Sequence, residues 1–337
     1  MKELIKGSGR LVAAATLATG LAAGAAQAEL YKLTSVAALS PYIVNTAIAK
    51  VVNTHVDGVE LQVNATGAAT RHMLEAAMGR NDFYFGSATI NWMMVNQIGP
   101  FREVANAPEL EENLGMIFSY EIGPYHYIVR ADSGIETLED LRGKRVFAGP
   151  PGGAATTVVL DAIKAITGFT IEDMDVATYG WDAATQAFQD DKLDLIVLSA
   201  NVPNPSVQQF ALTKRIKLLD IDLDKIEYRP DRGSTHTTIA PDAYGANQVN
   251  TAPVRTHGAL VNFSAGMHVP EDVVYKVTKA IWENLGEIHE TAQWMPSTIR
   301  REAALSLVTG RLHPGAERYY REMGWEIPDP TPVQRIR

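Results

Sequence analysis

The apolar residues of this chain fall into short runs that alternate with longer segments of helical spacing, which predicts a repeated strand-then-helix order. Tyr31 to Val36 has the short apolar run of a strand, and Ser40-Pro41 then opens a helix, since proline is favoured at the first helical position. Gly58 to Val63 and Phe83 to Ser87 repeat the strand pattern, and a helical pattern follows each of them. The first part of the chain therefore predicts an α/β unit built on a parallel sheet.

The same alternation resumes after Gly123-Pro124, which interrupts a long extended passage. Asp175 to Thr178, Leu193 to Leu198 and Ile216 to Leu219 read as strands, with helical patterns between them. The segment 222–255 is rich in proline and glycine and reads as loop. These features predict a second parallel-sheet α/β unit.

Gly258 to Phe263 reads as a last strand that returns the chain towards the first unit, and the remainder from Pro270 onward reads as helices. We therefore predict an α/β fold of two lobes with a ligand cleft between them that opens and closes by hinge motion. The first lobe is expected to hold residues 29–122 plus about 264–337, and the second lobe residues 123–263.

The segment from Val146 to Thr157 combines a buried strand, a Pro/Gly turn and the start of a helix that should end at Gly168 in the left-handed conformation. Gly152 and Gly153 let the backbone come close to a ligand. The free N–H groups and the dipole of the helix's first turn favour a carboxylate or another anion. An ordinary strand-to-helix turn is the alternative. A nucleotide phosphate loop is excluded, because the Lys-Ser/Thr pair of a Walker turn is missing.

The first 28 residues predict a signal peptide that is removed from the mature protein. Lys2, Lys6 and Arg10 form a basic region, Leu11 to Ala25 is an apolar run of small residues, and Ala26-Gln27-Ala28 fits the cleavage rule. We expect cleavage after Ala28 and export to a bacterial periplasm.

The composition of the chain limits the kinds of ligand and partner that we expect it to bind. The chain has 337 residues, 46% of them hydrophobic, which is enough for the cores of two lobes. Cysteine is absent, which excludes disulfides, thiolate metal sites and a cysteine nucleophile. Removing the signal peptide takes the formal charge from −9 to −11, which argues against nucleic acid and anionic membranes. We expect a monomer without cofactor or metal that binds a small anionic or zwitterionic solute.

Five motifs carry a resemblance to a known family: Thr66-Gly67-Ala68-Ala69, Leu138 to Val146, Gly149-Pro150-Pro151-Gly152-Gly153, Pro203-Asn204-Pro205 and Leu312 to Ala316. In this order and spacing, behind a signal peptide, the chain resembles the TAXI group of TRAP-transporter solute receptors over nearly all of its mature length. The resemblance implies a periplasmic-binding-protein fold of the second type. It also implies delivery of a small organic acid or amino acid to an integral-membrane TRAP permease driven by an ion gradient.

The family's ligand loops correspond here to Thr66 to Thr70, Ser87-Ala88-Thr89 and Pro151 to Thr156. The chain departs from the family where Ala37 to Tyr42 replaces a glycine-rich turn with paired tyrosines, and where Arg71-His72 replaces an acidic residue followed by Asn. Both departures fall at the expected cleft, so the ligand need not be the family's usual amino acid.

The predicted ligand contacts lie in turns after strands or in the first turns of helices, where open α/β sheets bind ligands. They are Thr66, Gly67, Ala68, Ala69, Thr70, Arg71, Ser87, Thr89, Pro151, Gly152, Gly153, Ala154, Ala155, Thr156, Trp181 and Asn201. The turns at Thr66, Ser87, Gly152 and Asn201 are expected to face one shared cavity.

Several candidate side chains also have an ordinary structural interpretation. Arg71 could hold a carboxylate with two parallel N–H groups or could be a solvated helix residue. Trp181 could form an aromatic wall of the cleft or belong to the core. His126 is interpreted as a hydrogen-bonded structural residue. The basic segment Arg229 to His236 could cover a carboxylate or be an exposed loop.

Two other functions stay open from the sequence. A sensor that presents its ligand to a signalling receptor would share this fold. A hydrolase is the less favoured alternative, since Gly-x-Ser-x-Gly and His-Glu-x-x-His are both absent. Ser87 and Ser199 follow strands, but no partner base is identifiable from the sequence.

Overall fold

The computed structural model describes residues 28–336. The predicted signal peptide, apart from Ala28, lies outside the described residues. The described chain alternates strands and helices, which confirms the α/β class.

The first elements run from the amino terminus to the first long strand. They are β1 (Glu29–Ser35), α1 (Ser40–His55), β2 (Val59–Ala65), α2 (Ala69–Ala77), β3 (Phe83–Gly86), α3 (Ala88–Val95), α4 (Ala107–Glu111) and β4 (Leu114–Arg130). The middle elements are β5 (Arg145–Phe147), α5 (Ala154–Thr167), β6 (Asp175–Val176), α6 (Trp181–Gln189), β7 (Leu195–Ser199), α7 (Pro205–Thr213), β8 (Ile216–Leu218), β9 (Ser234–Ile239) and β10 (Val254–Gly266). Four helices complete the chain: α8 (Glu271–Glu283), α9 (Leu285–His289), α10 (Met295–Thr298) and α11 (Pro314–Glu322).

The strands form one curled sheet in the order β2-β1-β3-β10-β4-β7-β5-β6, with β8 paired to β4 and β9 paired to β10. Helices α8 to α11 return to pack on the early elements, including α1 and β4. We use "first lobe" for the elements β1 to α4 with α8 to α11, and "second lobe" for β5 to β9. The lobe boundaries given above stay a prediction.

The expectation of two parallel sheets is wrong in part. The pairs β1–β2, β1–β3, β5–β6 and β5–β7 are parallel, whereas β10 is antiparallel to β3, β4 and β9, and β4 is antiparallel to β7 and β8. The physical reason is that β4 and β10 run between the lobes in opposite directions. Each of them therefore serves both lobes.

Strand β4 shows this double use most clearly. Its first half pairs with β10, as in Phe118 with Phe263, and its second half pairs with β7, as in Tyr125 with Ser199. Phe118 also packs edge-on against Trp282 of α8, with ring centroids 5.2 Å apart. The long strand is thus held in the core of the first lobe before it enters the second.

Strand β9 lies within the segment 222–255, for which the sequence predicts a loop, so this prediction is wrong at Ser234–Ile239. Its sequence, Ser-Thr-His-Thr-Thr-Ile, is polar and gives no apolar alternation, although threonine favours strands. One smaller expectation is confirmed, since Gly168 ends α5 with φ of +77°. Thr137 and Asp140 form a capping box on a short 3₁₀ helix.

No helix among residues 28–336 combines the length and apolar character needed to cross a membrane.

Gly123 marks the point where β4 passes from one lobe to the other. Its φ is +96°, in the region that favours glycine. A Cβ placed there would lie 2.4 Å from the backbone carbon of Ala200, which cannot move aside as a side chain can. The crossing therefore requires glycine for both conformation and space.

We predict that Gly123→Ala is strongly destabilising. Gly134→Ala is the matched control, because Gly134 also has a positive φ, +72°, but its Cβ would meet nothing within 4 Å. The left-handed conformation costs alanine about 1–2 kcal/mol at either site. Overpacking should cost Gly123→Ala about 1–3 kcal/mol more. Urea unfolding of both variants measures the difference, and equal midpoints would contradict the prediction.

Candidate functional site

Two adjoining cavities lie between the lobes. The outer one has a volume of about 750 Å³ and opens to solvent. Its walls are the turns after β1, β2 and β5 together with the loop before α4 and the start of α6. The lining ranges are 36–37, 65–68, 70–71, 74, 100–101, 150–152 and 180–183.

The inner cavity is smaller, about 70 Å³, and more enclosed. It shares the lining residues Val36, Ala68, Pro150 and Trp181 with the outer cavity, so the two cavities adjoin. The crossing strands β4 and β10 contribute to its wall, as do the starts of α3 and α5.

The structure brings most of the predicted contacts to these cavities. Thr66, Gly67, Thr70, Arg71, Pro151 and Gly152 line the outer cavity. Ala69, Ser87, Thr89, Gly153, Ala154 and Ala155 line the inner cavity. Ala68 and Trp181 line both.

Thr156 and Asn201 line neither cavity, so the expected turn at Asn201 does not face the shared space. The Thr156 hydroxyl instead donates to the carbonyl of Pro150 at 2.7 Å, within the turn itself. The amide of Asn201 donates to the Ser40 hydroxyl at 2.6 Å, a contact between the two lobes. Both residues hold the backbone that surrounds the cavities.

Four helices begin at the cavities. These are α2 and α3 from the first lobe and α5 and α6 from the second. The first turns of α2, α3 and α5 contain no acidic residue, whereas that of α6 contains Asp182. The partial positive charge of the first three helix ends is therefore not offset by a carboxylate of their own.

Direct contacts close the cleft above the inner cavity. The Thr70 hydroxyl of α2 donates to the carbonyl of Gly152 at 2.9 Å. The Thr89 hydroxyl of α3 donates to the carbonyl of Arg232 at 3.1 Å. The Arg232 guanidinium lies over the ring of Trp92, with 3.5 Å from Cζ to the ring centroid. These contacts join the two lobes at two separate places.

Arg71 lies at the mouth of the outer cavity. Its Nε donates to Glu75 Oε1 at 2.8 Å, one helical turn along α2, and its side chain is 74% exposed. Its charge is therefore shared with Glu75 and water. This geometry gives Arg71 no direct access to the inner cavity.

Ser199 is a cavity residue that was considered only as a hydrolase candidate. It ends β7, is 2% exposed, and its Oγ has no hydrogen-bond partner among residues 28–336. The Tyr125 hydroxyl approaches it without meeting hydrogen-bond geometry. Burial raises the pKa of Tyr125 to about 12, so its hydroxyl stays protonated at neutral pH. The sequence signal for Ser199 was its place at a strand end.

Buried histidines support the wall of the inner cavity. The ring of Tyr125 stacks on His257 at 4.4 Å, and His257 Nε2 and the Tyr127 hydroxyl form a hydrogen bond of 2.7 Å. His126 Nε2 accepts from the Tyr244 hydroxyl at 2.7 Å, which agrees with its structural interpretation. Burial lowers the pKa of His126 and of His257 to about 4. Both rings are thus neutral at neutral pH.

The basic segment before β10 does not form a cluster that covers the cavities. Arg229 is paired with Asp231 through two hydrogen bonds of 3.0 and 2.8 Å. His236 is exposed and lies against Tyr228. Within residues 28–336, no group of three or more His, Asp or Glu side chains is arranged to hold a metal ion.

Comparison with known proteins identifies the family. The model of the NMT1-like family matches residues 34–324. The chain belongs to the NMT1-like family. This match spans both lobes and all the cavity-lining segments.

Solved structures of similar shape are two-lobed periplasmic binding proteins. PhnD1 of Prochlorococcus marinus, in complex with methylphosphonate, has a TM-score of 0.50 at 10% identity and covers 88% of this chain and 98% of its own. The aliphatic sulphonate binding protein of Escherichia coli has a TM-score of 0.45 at 13% identity, covering 88% and 80%. A TRAP solute binding protein of Sulfurospirillum deleyianum with bound succinate has a TM-score of 0.47 at 13% identity, covering 89% and 88%. At 10% identity the likeness to PhnD1 shows the fold alone: this chain has a two-lobed periplasmic-binding-protein fold.

The buried histidines predict a pH dependence of stability. His257 takes up a proton with a pKa of about 4 in the folded protein and near 6.5 when unfolded, so the unfolded chain binds more protons between these values. Stability should therefore fall as the pH drops from 6.5 to 4. In urea unfolding, His257→Asn should flatten this fall, whereas His236→Asn, which removes only the smaller effect of the neighbouring ring and leaves His257 buried, should change it much less. Identical profiles for parent and His257→Asn would contradict the assignment.

Proposed function

We propose that this protein is an exported solute receptor that captures a small carboxylate between its lobes and delivers it to a TRAP-type permease. One observation carries the proposal. Strand-end turns from both lobes line the same pair of adjoining cavities, and Thr70 of one lobe bonds directly to Gly152 of the other. A cleft of this form holds a small solute by closing around it.

The charge around the cleft favours an anion. The starts of α2, α3 and α5 reach the cavities without acidic residues in their first turns. Backbone N–H groups at such helix ends bind carboxylates although the protein as a whole is acidic. Arg71 at the mouth is paired with Glu75 and remains exposed, and we propose that its guanidinium meets the solute at the entrance without holding it in the closed state.

The TRAP partner and the periplasmic location rest on the sequence. The five motifs shared with the TAXI group, the predicted signal peptide and the family match support this part of the proposal. A sensor that presents the same ligand to a signalling receptor is the alternative, since it needs no different cleft. We favour a binding protein over a hydrolase, because no histidine within residues 28–336 hydrogen-bonds to Ser87 or Ser199.

A disulfide trap tests whether the cleft must open. A Cβ on Gly152 would lie 3.7 Å from the Cβ of Pro100 on the opposite lobe, close to the ~3.8 Å typical of disulfides. The chain has no cysteine of its own, so Pro100→Cys with Gly152→Cys can form only the intended bond within one molecule. We expect the oxidised double variant to exchange no ligand, and reduction to restore exchange.

The controls distinguish the effect of the disulfide from the effect of the two substitutions themselves. Each single cysteine variant and the Pro100→Ser, Gly152→Ser pair should bind as the reduced double variant does. The ligand for this test comes from a thermal-shift screen of carboxylates, in which a ligand at 100 times its Kd stabilises the protein by about 2.7 kcal/mol. Unchanged ligand exchange in the oxidised protein would refute binding by cleft closure.

An uptake experiment tests delivery and location together. Spheroplasts of the source bacterium lose their periplasmic proteins and should take up the ligand only when the purified receptor is added. Collapse of the ion gradient should stop this uptake, while depletion of ATP with the gradient maintained should not. The oxidised disulfide variant is the matched control and should support no uptake. Uptake that continues without added receptor would contradict the transport role.

A further inference from the structure

The inner cavity has an unusual combination of polar and apolar groups. Among the described residues that line it, none carries a charged side chain. Four hydroxyl side chains line it: Ser87, Thr89, Tyr125 and Ser199. Ser87 Oγ accepts from the amide of Ile90, and the Thr89 hydroxyl donates to a carbonyl across the cleft. The hydroxyls of Tyr125 and Ser199 remain available to a ligand.

Available backbone donors reach the cavity from both lobes, since α2 and α3 of the first lobe also begin there. The amides of Ala154 and Ala155, at the start of the 14-residue helix α5, donate no hydrogen bond within residues 28–336. Ser199 lies next to this turn, because β7 and β5 are parallel neighbours and Phe147 pairs with Ile196. Tyr125 of β4 is the cross-strand partner of Ser199. A buried and unpartnered Ser199 hydroxyl therefore lines the cavity that the free helix end also reaches.

The first lobe also contributes apolar side chains to the cavity. Val36, Leu39, Phe85 and Ile90 of the first lobe line it. An ammonium group placed in the cavity would be buried without an acidic partner, at a cost of several kcal/mol. A branched hydrocarbon would fill the same space favourably.

From these features we propose that the receptor selects a small carboxylate with a compact apolar body and without an ammonium group. The carboxylate accepts hydrogen bonds from Ser199, Tyr125 and the amides of Ala154 and Ala155. The hydrocarbon body packs against the first lobe. This inference rests on the proposed receptor function and narrows its ligand. The volume of about 70 Å³ is several times the ~10–15 Å³ that one water needs, and it limits the body to a few carbon atoms.

Three probes with the same branched skeleton test each part of this selection. Isovalerate has the proposed form, valine adds an ammonium, and isoamyl alcohol replaces the carboxylate with a hydroxyl. Titration calorimetry gives the affinities, with tryptophan fluorescence as a second readout because Trp181 lines the cavity. We expect isovalerate to bind at least tenfold more tightly than each of the other two.

A matched pair of serine variants tests the carboxylate position. Ser199 and Ser35 are both buried with an unpartnered Oγ, but only Ser199 lines a cavity. Loss of a hydrogen bond to a charged group weakens binding about tenfold or more, so Ser199→Ala should do this for isovalerate. Ser35→Ala should bind isovalerate as the parent does. If Ser199→Ala does not fold, Tyr125→Phe takes its place with the same expectation.

The outcomes separate this inference from the receptor function. If valine binds as tightly as isovalerate, the selection is refuted while the receptor function stands. Equal binding of isoamyl alcohol refutes the anionic head in the same way. An unchanged affinity of Ser199→Ala, with Tyr125→Phe also unchanged, refutes the carboxylate position. If none of the three binds, the selection is refuted, and the disulfide trap with a ligand from the wider screen decides the receptor function alone.

Discussion

The fold depends on the close approach of backbones where β4 and β10 pass between the lobes. Gly258 of β10 pairs with Pro124 of β4, and a Cβ on Gly258 would lie 2.6 Å from the Thr235 hydroxyl and 3.2 Å from the carbonyl of Gly123. Gly123 itself sits against the backbone of Ala200. The close approach leaves no room for a side chain at Gly123 or Gly258, so strands of both lobes meet there at hydrogen-bonding distance. This meeting of the strands positions the lobes, and with them the walls of the cavities.

The electrostatic properties of the cleft arise from the groups that line it and not from the net charge of the protein. The chain has a formal charge of −9, yet no charged side chain among the described residues lines the inner cavity. In the proposed function, attraction for an anion therefore comes from backbone N–H groups and hydroxyls, which act only at short range and in fixed directions. The outer cavity differs, since Arg71 and Asp182 both line it. A solute would pass from a charged entrance to an uncharged interior.

Much of the fold could be predicted from the sequence, because short apolar runs and helix signals are local. The strand that ends before Gly149 and the helix that ends at Gly168 are examples. Strand direction was less accessible, since it depends on which distant segment becomes the neighbour. Strand β9 was missed because its residues Ser234–Ile239 lack an apolar alternation and gain their pairing only from β10.

The candidate site divides in a similar way. Turns after strands were identifiable because strand ends collect at one edge of a sheet. The pairing of Arg71 with Glu75 was also readable from their four-residue spacing, although it was not weighed. The sequence could not show that the Ser199 hydroxyl lacks a hydrogen-bond partner, because this depends on which polar atoms of both lobes reach it. Asn201 shows the same limit, since its amide bonds to Ser40 from the other lobe.

The place of Tyr125 has a mechanical consequence. It directly follows Gly123-Pro124, so any rotation of the lobes about this crossing must carry its ring along an arc. The same ring rests on His257 of the second crossing strand and borders the inner cavity. A solute held against Tyr125 would thus limit how far the lobes can rotate towards each other. The size of the solute would then set the outer shape of the closed protein, which a membrane partner can recognise without contacting the solute.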